Sequence, residues 1–236
     1  VAILVYQHTS VDRGYGTFMN IKLVQSIYYN NFSSDTVGVQ PSYLSIIDGN
    51  NVAATVELNY IGNKVLQLET IPEPPVVVRS YIEITNVGKI SDVDIRLKFR
   101  YDTFYGYSGQ LAGPREFLFI YLSGTDKYVS FKDSGELTFS TIGMLDGVSS
   151  TDTEVYTYDD FIKNVDYNVR IQSYEEIIRI KIWKYIEPST WLYTYFPEVI
   201  ASQPMFSLNI AGNFGFGTYS YATKVQITEI EVNDLY

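Results

Sequence analysis

The side chains best suited to chemistry in this sequence are carboxylates and aromatic rings. Glu229-Ile-Glu231 puts two carboxylates on one face if the segment is a strand, because alternate strand residues share a face. Glu175-Glu176 are adjacent in a turn-like stretch. Hydrolysis of a glycoside needs two carboxylates flanking the sugar, one of them protonated. Both pairs are formal candidates, and both are also what a solvated strand edge looks like when charge protects it from aggregation. A Ser-His-Asp triad would have to be built around His8, the only histidine, and no nucleophile elbow accompanies it. With no cysteine in the chain, thiol nucleophiles, zinc–thiolate sites and disulfides are excluded.

Calcium chemistry has a broader footing. Asp92 and Asp94 lie two apart and so project from one strand face, while Asp152, Glu154, Asp159 and Asp160 crowd one loop. These are the hard oxygen ligands that calcium takes, although no EF-hand spacing orders them and ordinary surface charge is the competing reading. Rings gather in two places: Tyr101, Phe104, Tyr105 and Tyr107 in one stretch, and Trp191, Tyr193 and Tyr195 at period two in another. An exposed ring row stacks on sugar rings or anchors a protein interface; rings turned inward cap the end of a sandwich. Gly212-x-x-Gly215-x-Gly217 lacks the Lys-Ser/Thr and following helix of a phosphate loop, and reads as a strand with close backbone packing. Asn31-Phe32-Ser33 is the only glycosylation sequon, a short pattern that often arises by chance.

Strands must position these groups. Val93, Ile95, Leu97 and Phe99 alternate with Asp94, Arg96, Lys98 and Arg100, the period of a strand with one buried face. Val169–Ile182 reads as a hairpin through a turn at residues 173–176, and Val52–Leu58 pairs with Val65–Glu69 across Ile61-Gly62-Asn63-Lys64. Residues 117–142 read as a three-strand meander, 143–165 as a long polar loop, and Phe206, Leu208 and Ile210 as a further strand. In the closing segment Val225 and Ile227 share one parity, Ile230 and Val232 the other. One extra residue near Thr228-Glu229 restores a single buried face, so a β-bulge is expected there. The uncharged run Val1, Ala2, Ile3, Leu4, Val5 and Tyr6 is a strand that must pair with something, either its own sheet or a neighbouring subunit.

The 236 residues, nearly half apolar and without a linker-like segment, suit one substantial sandwich. A net charge of −10 argues against a nucleic-acid surface, and no stretch has the apolar length of a membrane span. The start at Val1 without methionine suggests that a precursor segment is removed, and with it export to the cell surface, the extracellular space or a virion coat.

The hairpin Val169–Ile182, the glycine-aromatic strand Gly212–Gly217, the final alternating strand and the Asp92–Arg100 segment resemble the concanavalin-like (laminin-G-like) jelly-roll superfamily over roughly Ser45 to Leu235. The resemblance implies an all-β, two-sheet antiparallel sandwich across residues 44–236, preceded by an arm with extra strands across 1–43. It leaves function open, because this fold carries lectins, adhesion modules, glycosidases and coat proteins. Jelly-roll glucanases place their acids as Glu-x-Asp-x-x-Glu on one strand, a motif this chain lacks. The sequence reading favours a non-catalytic, exported, self-assembling subunit of a filament, sheath or coat, a homo-oligomer or polymer joined through Val1–Tyr6. The alternatives are a carbohydrate-binding or adhesion module acting on a polysaccharide and, third, a glycoside hydrolase.

Overall fold

A computed structural model describes residues 2–4, 22–48, 52–70, 79–90, 92–104, 116–122, 127–132, 136–141, 153–157, 164–174, 177–185, 194–195, 199–201, 212–219 and 223–235. Among them no helix forms, and eighteen strands do. These are β1 (Ala2–Leu4), β2 (Lys22–Asn30), β3 (Leu44–Asp48), β4 (Val52–Leu58), β5 (Lys64–Thr70), β6 (Arg79–Ile84), β7 (Lys89–Ile90), β8 (Val93–Phe104) and β9 (Glu116–Leu122). There follow β10 (Lys127–Lys132), β11 (Glu136–Thr141), β12 (Thr153–Thr157), β13 (Asp166–Tyr174), β14 (Ile177–Tyr185), β15 (Thr194–Tyr195), β16 (Val199–Ala201), β17 (Gly212–Tyr219) and β18 (Thr223–Leu235).

The strands pair antiparallel into two sheets, as the alternating sequence requires. The ten-stranded sheet runs β1-β2-β18-β8-β13-β14-β15, with β5 and β4 joined to β18 and β16 to β14. The eight-stranded sheet runs β12-β11-β10-β9-β17-β6-β3, with β7 on β17. β18 organises the first sheet. One of its edges follows β8 for its whole length; the other is shared between β5 at Lys224–Ile227 and β2 at Ile230–Leu235. The β18–β8 register shifts between Ile227 and Glu229, leaving Thr228 as the extra residue of the expected bulge. That insertion lets Val225, Ile227, Ile230 and Val232 all lie fully buried on one side.

Side chains from both sheets interdigitate between the layers. Phe99 on β8 stacks on Tyr167 of β13 at 5.8 Å and meets Phe131 of the other sheet at 5.9 Å. The β4–β5 turn is held by Asn59, whose Oδ1 accepts the Ile61 and Asn63 N–H groups, and by Gly62 at φ +83°. Phe32, in the loop after β2, is fully buried despite φ +60° and plugs the end of the core.

In the stretch 37–47 the strand is β3, and residues 38 and 39 hydrogen-bond Val56 of β4. Other elements differ from the sequence expectation. The polar loop 143–165 contains β12, which pairs with β11 as the last strand of its sheet. β15 forms within the ring-bearing stretch of Trp191, Tyr193 and Tyr195, and β16 follows it. The segment around Phe206–Ile210 lies outside the described residues.

Candidate functional site

The two outer sheet faces carry different chemistry. On the ten-stranded sheet the residues opposite the core form a polar lattice. Asp94, fully buried, accepts two hydrogen bonds from Arg170, Nε to Oδ1 at 2.8 Å and Nη2 to Oδ2 at 2.7 Å. Arg96 lies 3.7 Å from the same carboxylate and donates to Glu231 at 3.2 Å. Asn233 donates to Glu231 and to the Asp94 carbonyl, and Lys98 pairs with Glu229 at 3.4 Å. Arg100 donates to Asp166 at 2.7 Å and lies 3.9 Å over the Tyr60 ring. Burial pulls the Arg100 pKa down, but Asp166, by hydrogen bond and charge, and then Tyr60 outweigh it and leave it raised.

On the eight-stranded sheet, Val129, Ile120, Phe216 and Ile82 are buried in the core, so their strand neighbours fall on the outer face. Register lines those neighbours up. One row runs Glu154, Thr138, Ser130, Phe119, Gly217, Tyr81 and Asp48; the next runs Ser140, Tyr128, Tyr121, Gly215, Glu83 and Ser45. At about 4.8 Å between strands, the first row spans roughly 29 Å. Glycines occupy both central positions, so no side chain rises there. Gly215 and Gly217 are themselves buried, and Tyr81 and Glu83 are only 4% and 8% exposed although they lie opposite the core cluster. Asn213 Nδ2 donates to Glu83 Oε2 at 3.0 Å. A carboxylate offers about four acceptor positions, so Glu83 keeps capacity for further donors.

The sequence candidates scatter. Tyr101 is 3% exposed and belongs to the core, so it is removed from the expected exposed ring row: as an odd-numbered β8 residue it shares the face of Phe99. Phe104 ends β8 with its backbone opposite Thr223, and Tyr195 lies opposite Trp183. Tyr105, Tyr107, Trp191 and Tyr193 lie outside the described residues, as do Asp152, Asp159, Asp160, Glu175, Glu176 and His8. Glu154 lies on β12 at one end of the outer row. The Asp92/Asp94 calcium reading is corrected, since both Asp94 oxygens are engaged by Arg170. Glu229 and Glu231 are engaged by Lys98 and Arg96 on the outer face of the ten-stranded sheet. Ile3 and Leu4 pair with Leu23 and Lys22 of β2 in the same chain; Val1, Val5 and Tyr6 lie outside the described residues. The described residues contain no cluster of three metal-ligating side chains and no helix long and apolar enough to cross a membrane.

Sequence reasoning did not find Glu83 and Asn213. The available signal was Gly215 and Gly217 alternating with Phe214 and Phe216, which marks a strand with one side-chain-free face.

No protein-family model matches the sequence, and no curated protein matches it significantly. Solved structures do. The winged bean acidic lectin complexed with methyl-alpha-D-galactose aligns at 12% identity and TM-score 0.52 over 91% of this chain and 100% of that one. The Ulex europaeus lectin I in complex with the methyl glycoside of alpha-L-fucose aligns at 12% and 0.52 over 90% and 97%. The VIP36 exoplasmic/lumenal domain in its Ca2+/Man-bound form aligns at 10% and 0.54 over 89% and 91%. Two antiparallel sheets, their strand order and these alignments agree: the chain has the concanavalin-like jelly-roll fold.

Proposed function

We propose that the chain binds carbohydrate on the outer face of the eight-stranded sheet, without turning it over. The observation that carries this is the pair of rows in which ring, hydroxyl, glycine and carboxylate positions alternate, with Glu83 and Asn213 joined beside Gly215. Rings present faces to the C–H faces of sugars, planar polar groups take paired hydroxyls, and bare glycines admit a ligand close to the backbone. The lectin neighbours, whose structures hold sugars, support the reading. With a net charge of −10, a neutral polysaccharide fits better than an acidic one. The donor-strand form of a self-assembling coat would require β1 to leave β2. Export to a cell surface and calcium near Glu154 belong to the same proposal. If calcium binds, thermal melts with calcium and with chelator separate, by about 2.7 kcal/mol at a hundredfold excess over Kd.

Affinity electrophoresis through gels of neutral polysaccharides tests the reading. Retardation that Glu83→Ala abolishes is the expected result; equal mobility in every gel contradicts it. A second reading, glycoside hydrolysis, draws on Asp48, which register places diagonally across from Glu83, at about 7–8 Å between such backbone positions. Release of reducing ends from the bound polysaccharide separates the two.

A further inference from the structure

We propose that Asn31 is an acceptor for N-linked glycosylation in the folded chain. Asn31-Phe32-Ser33 has the required Asn-x-Ser order, with a middle residue other than proline. The fold then presents it. Asn31 and Ser33 are both exposed in the loop after β2, while Phe32 between them is fully buried in the core. The buried ring anchors the turn and leaves the two chemically required residues facing solvent.

Hydrogen bonds order the turn without occupying the reactive atom. Ser33 Oγ donates to Asn31 Oδ1 at 2.8 Å, and the Ser33 N–H donates to the same oxygen at 3.2 Å. Asn30 Oδ1 accepts the Phe32 N–H at 2.7 Å, the Asp35 N–H donates to the Phe32 carbonyl, and Lys64 Nζ donates to the Ser33 carbonyl at 3.1 Å. Asn31 Nδ2, the nitrogen that takes the sugar, makes no hydrogen bond among the described residues.

The donor is an isoprenoid-diphosphate-linked oligosaccharide, supplied with its transferase. The bond from Nδ2 to the sugar C1 forms as the C1–O bond to diphosphate breaks. The electron pair leaves with the diphosphate, and one Nδ2 proton passes to a base of the transferase. No oxidant or reductant is needed. The product places a bulky polar group on a surface loop, where it costs no core packing.

The test incubates the purified, folded full-length chain with a single-subunit oligosaccharyltransferase and a lipid-linked oligosaccharide, read by intact mass and peptide mapping. The expected result is a mass increase of one oligosaccharide, mapped to Asn31, and its loss in Asn31→Gln and in Ser33→Ala. Ser33→Thr, which keeps the hydroxyl, is expected to retain the modification. A folded chain that stays unmodified overturns the proposal, whether or not the urea-denatured chain is modified, and so does modification mapped away from Asn31.

Discussion

The two outer faces of this sandwich solve opposite problems. On the ten-stranded sheet, cations and carboxylates pair across strands: Arg170 with Asp94, Arg96 with Glu231, Lys98 with Glu229, Arg100 with Asp166. Those groups spend their hydrogen-bonding capacity on one another, so the face stabilises the sheet and offers little to a ligand. On the eight-stranded sheet, the central outer positions are Gly215 and Gly217, flanked by Tyr81, Glu83, Phe119 and Tyr121. Glycine in a strand interior is unfavourable by roughly 0.5–1 kcal/mol relative to alanine, so two in one strand give up stability for close backbone approach. One face is saturated and the other is left with capacity. That difference supports the proposal that the first face is structural and the second binds.

Removing Arg170 attacks the saturated face most severely. Arg170→Ala leaves the buried Asp94 carboxylate with only the more distant Arg96, and breaking such a pair costs about 3–5 kcal/mol. Chemical denaturation should show that loss while the folded variant keeps its carbohydrate affinity. Parallel loss of affinity at denaturant-free equilibrium would break the separation between faces.

Filling the bare face should give the reverse pattern. Gly215→Val places a branched side chain between Tyr121 and Glu83 and should abolish polysaccharide retardation. Gly215 is buried, so the added side chain is expected to cost about 1–3 kcal/mol through overpacking, less than the loss at Arg170→Ala. Melting temperature and gel mobility, measured on the same preparation, read both effects.

A smaller effect concerns neither face. Tyr43 donates to Asp35 Oδ2 at 2.6 Å and also meets Asn30. Burial first, and then the hydrogen bond to Asp35, hold its hydroxyl pKa above the ordinary 10.0. The folded chain therefore keeps this proton where the unfolded chain loses it. Its contribution is complete below pH about 10 and declines as pH rises further. Tyr43→Phe should flatten that part of the stability–pH curve, and an unchanged slope would assign it to other tyrosines such as Tyr28.

Legibility in the sequence followed burial. β8 and the β13–β14 hairpin were readable because alternation carried across seven or more residues with one face in the core. The Thr228 bulge was readable because a change of parity within one strand has a single simple repair. β12 was not readable: Thr-Glu-Val-Tyr-Thr is short and mostly polar, and an edge strand takes its definition from the neighbour it pairs with. Tyr101 looked like a surface ring because it adjoins an aromatic stretch, yet its parity with Phe99 already placed it inside. Glu83 and Asn213 lie 130 residues apart, and only the β6–β17 register brings them together. No local pattern encodes that meeting.

The most direct test of the account is calorimetric titration of a neutral polysaccharide that retards the wild type into both the wild type and Glu83→Ala. Glu83 is a charged hydrogen-bond acceptor, so its loss should weaken binding by about 1.5–3 kcal/mol, roughly tenfold to a hundredfold in Kd. Unchanged affinity in a folded Glu83→Ala variant would contradict the assignment of binding to the outer face of the eight-stranded sheet.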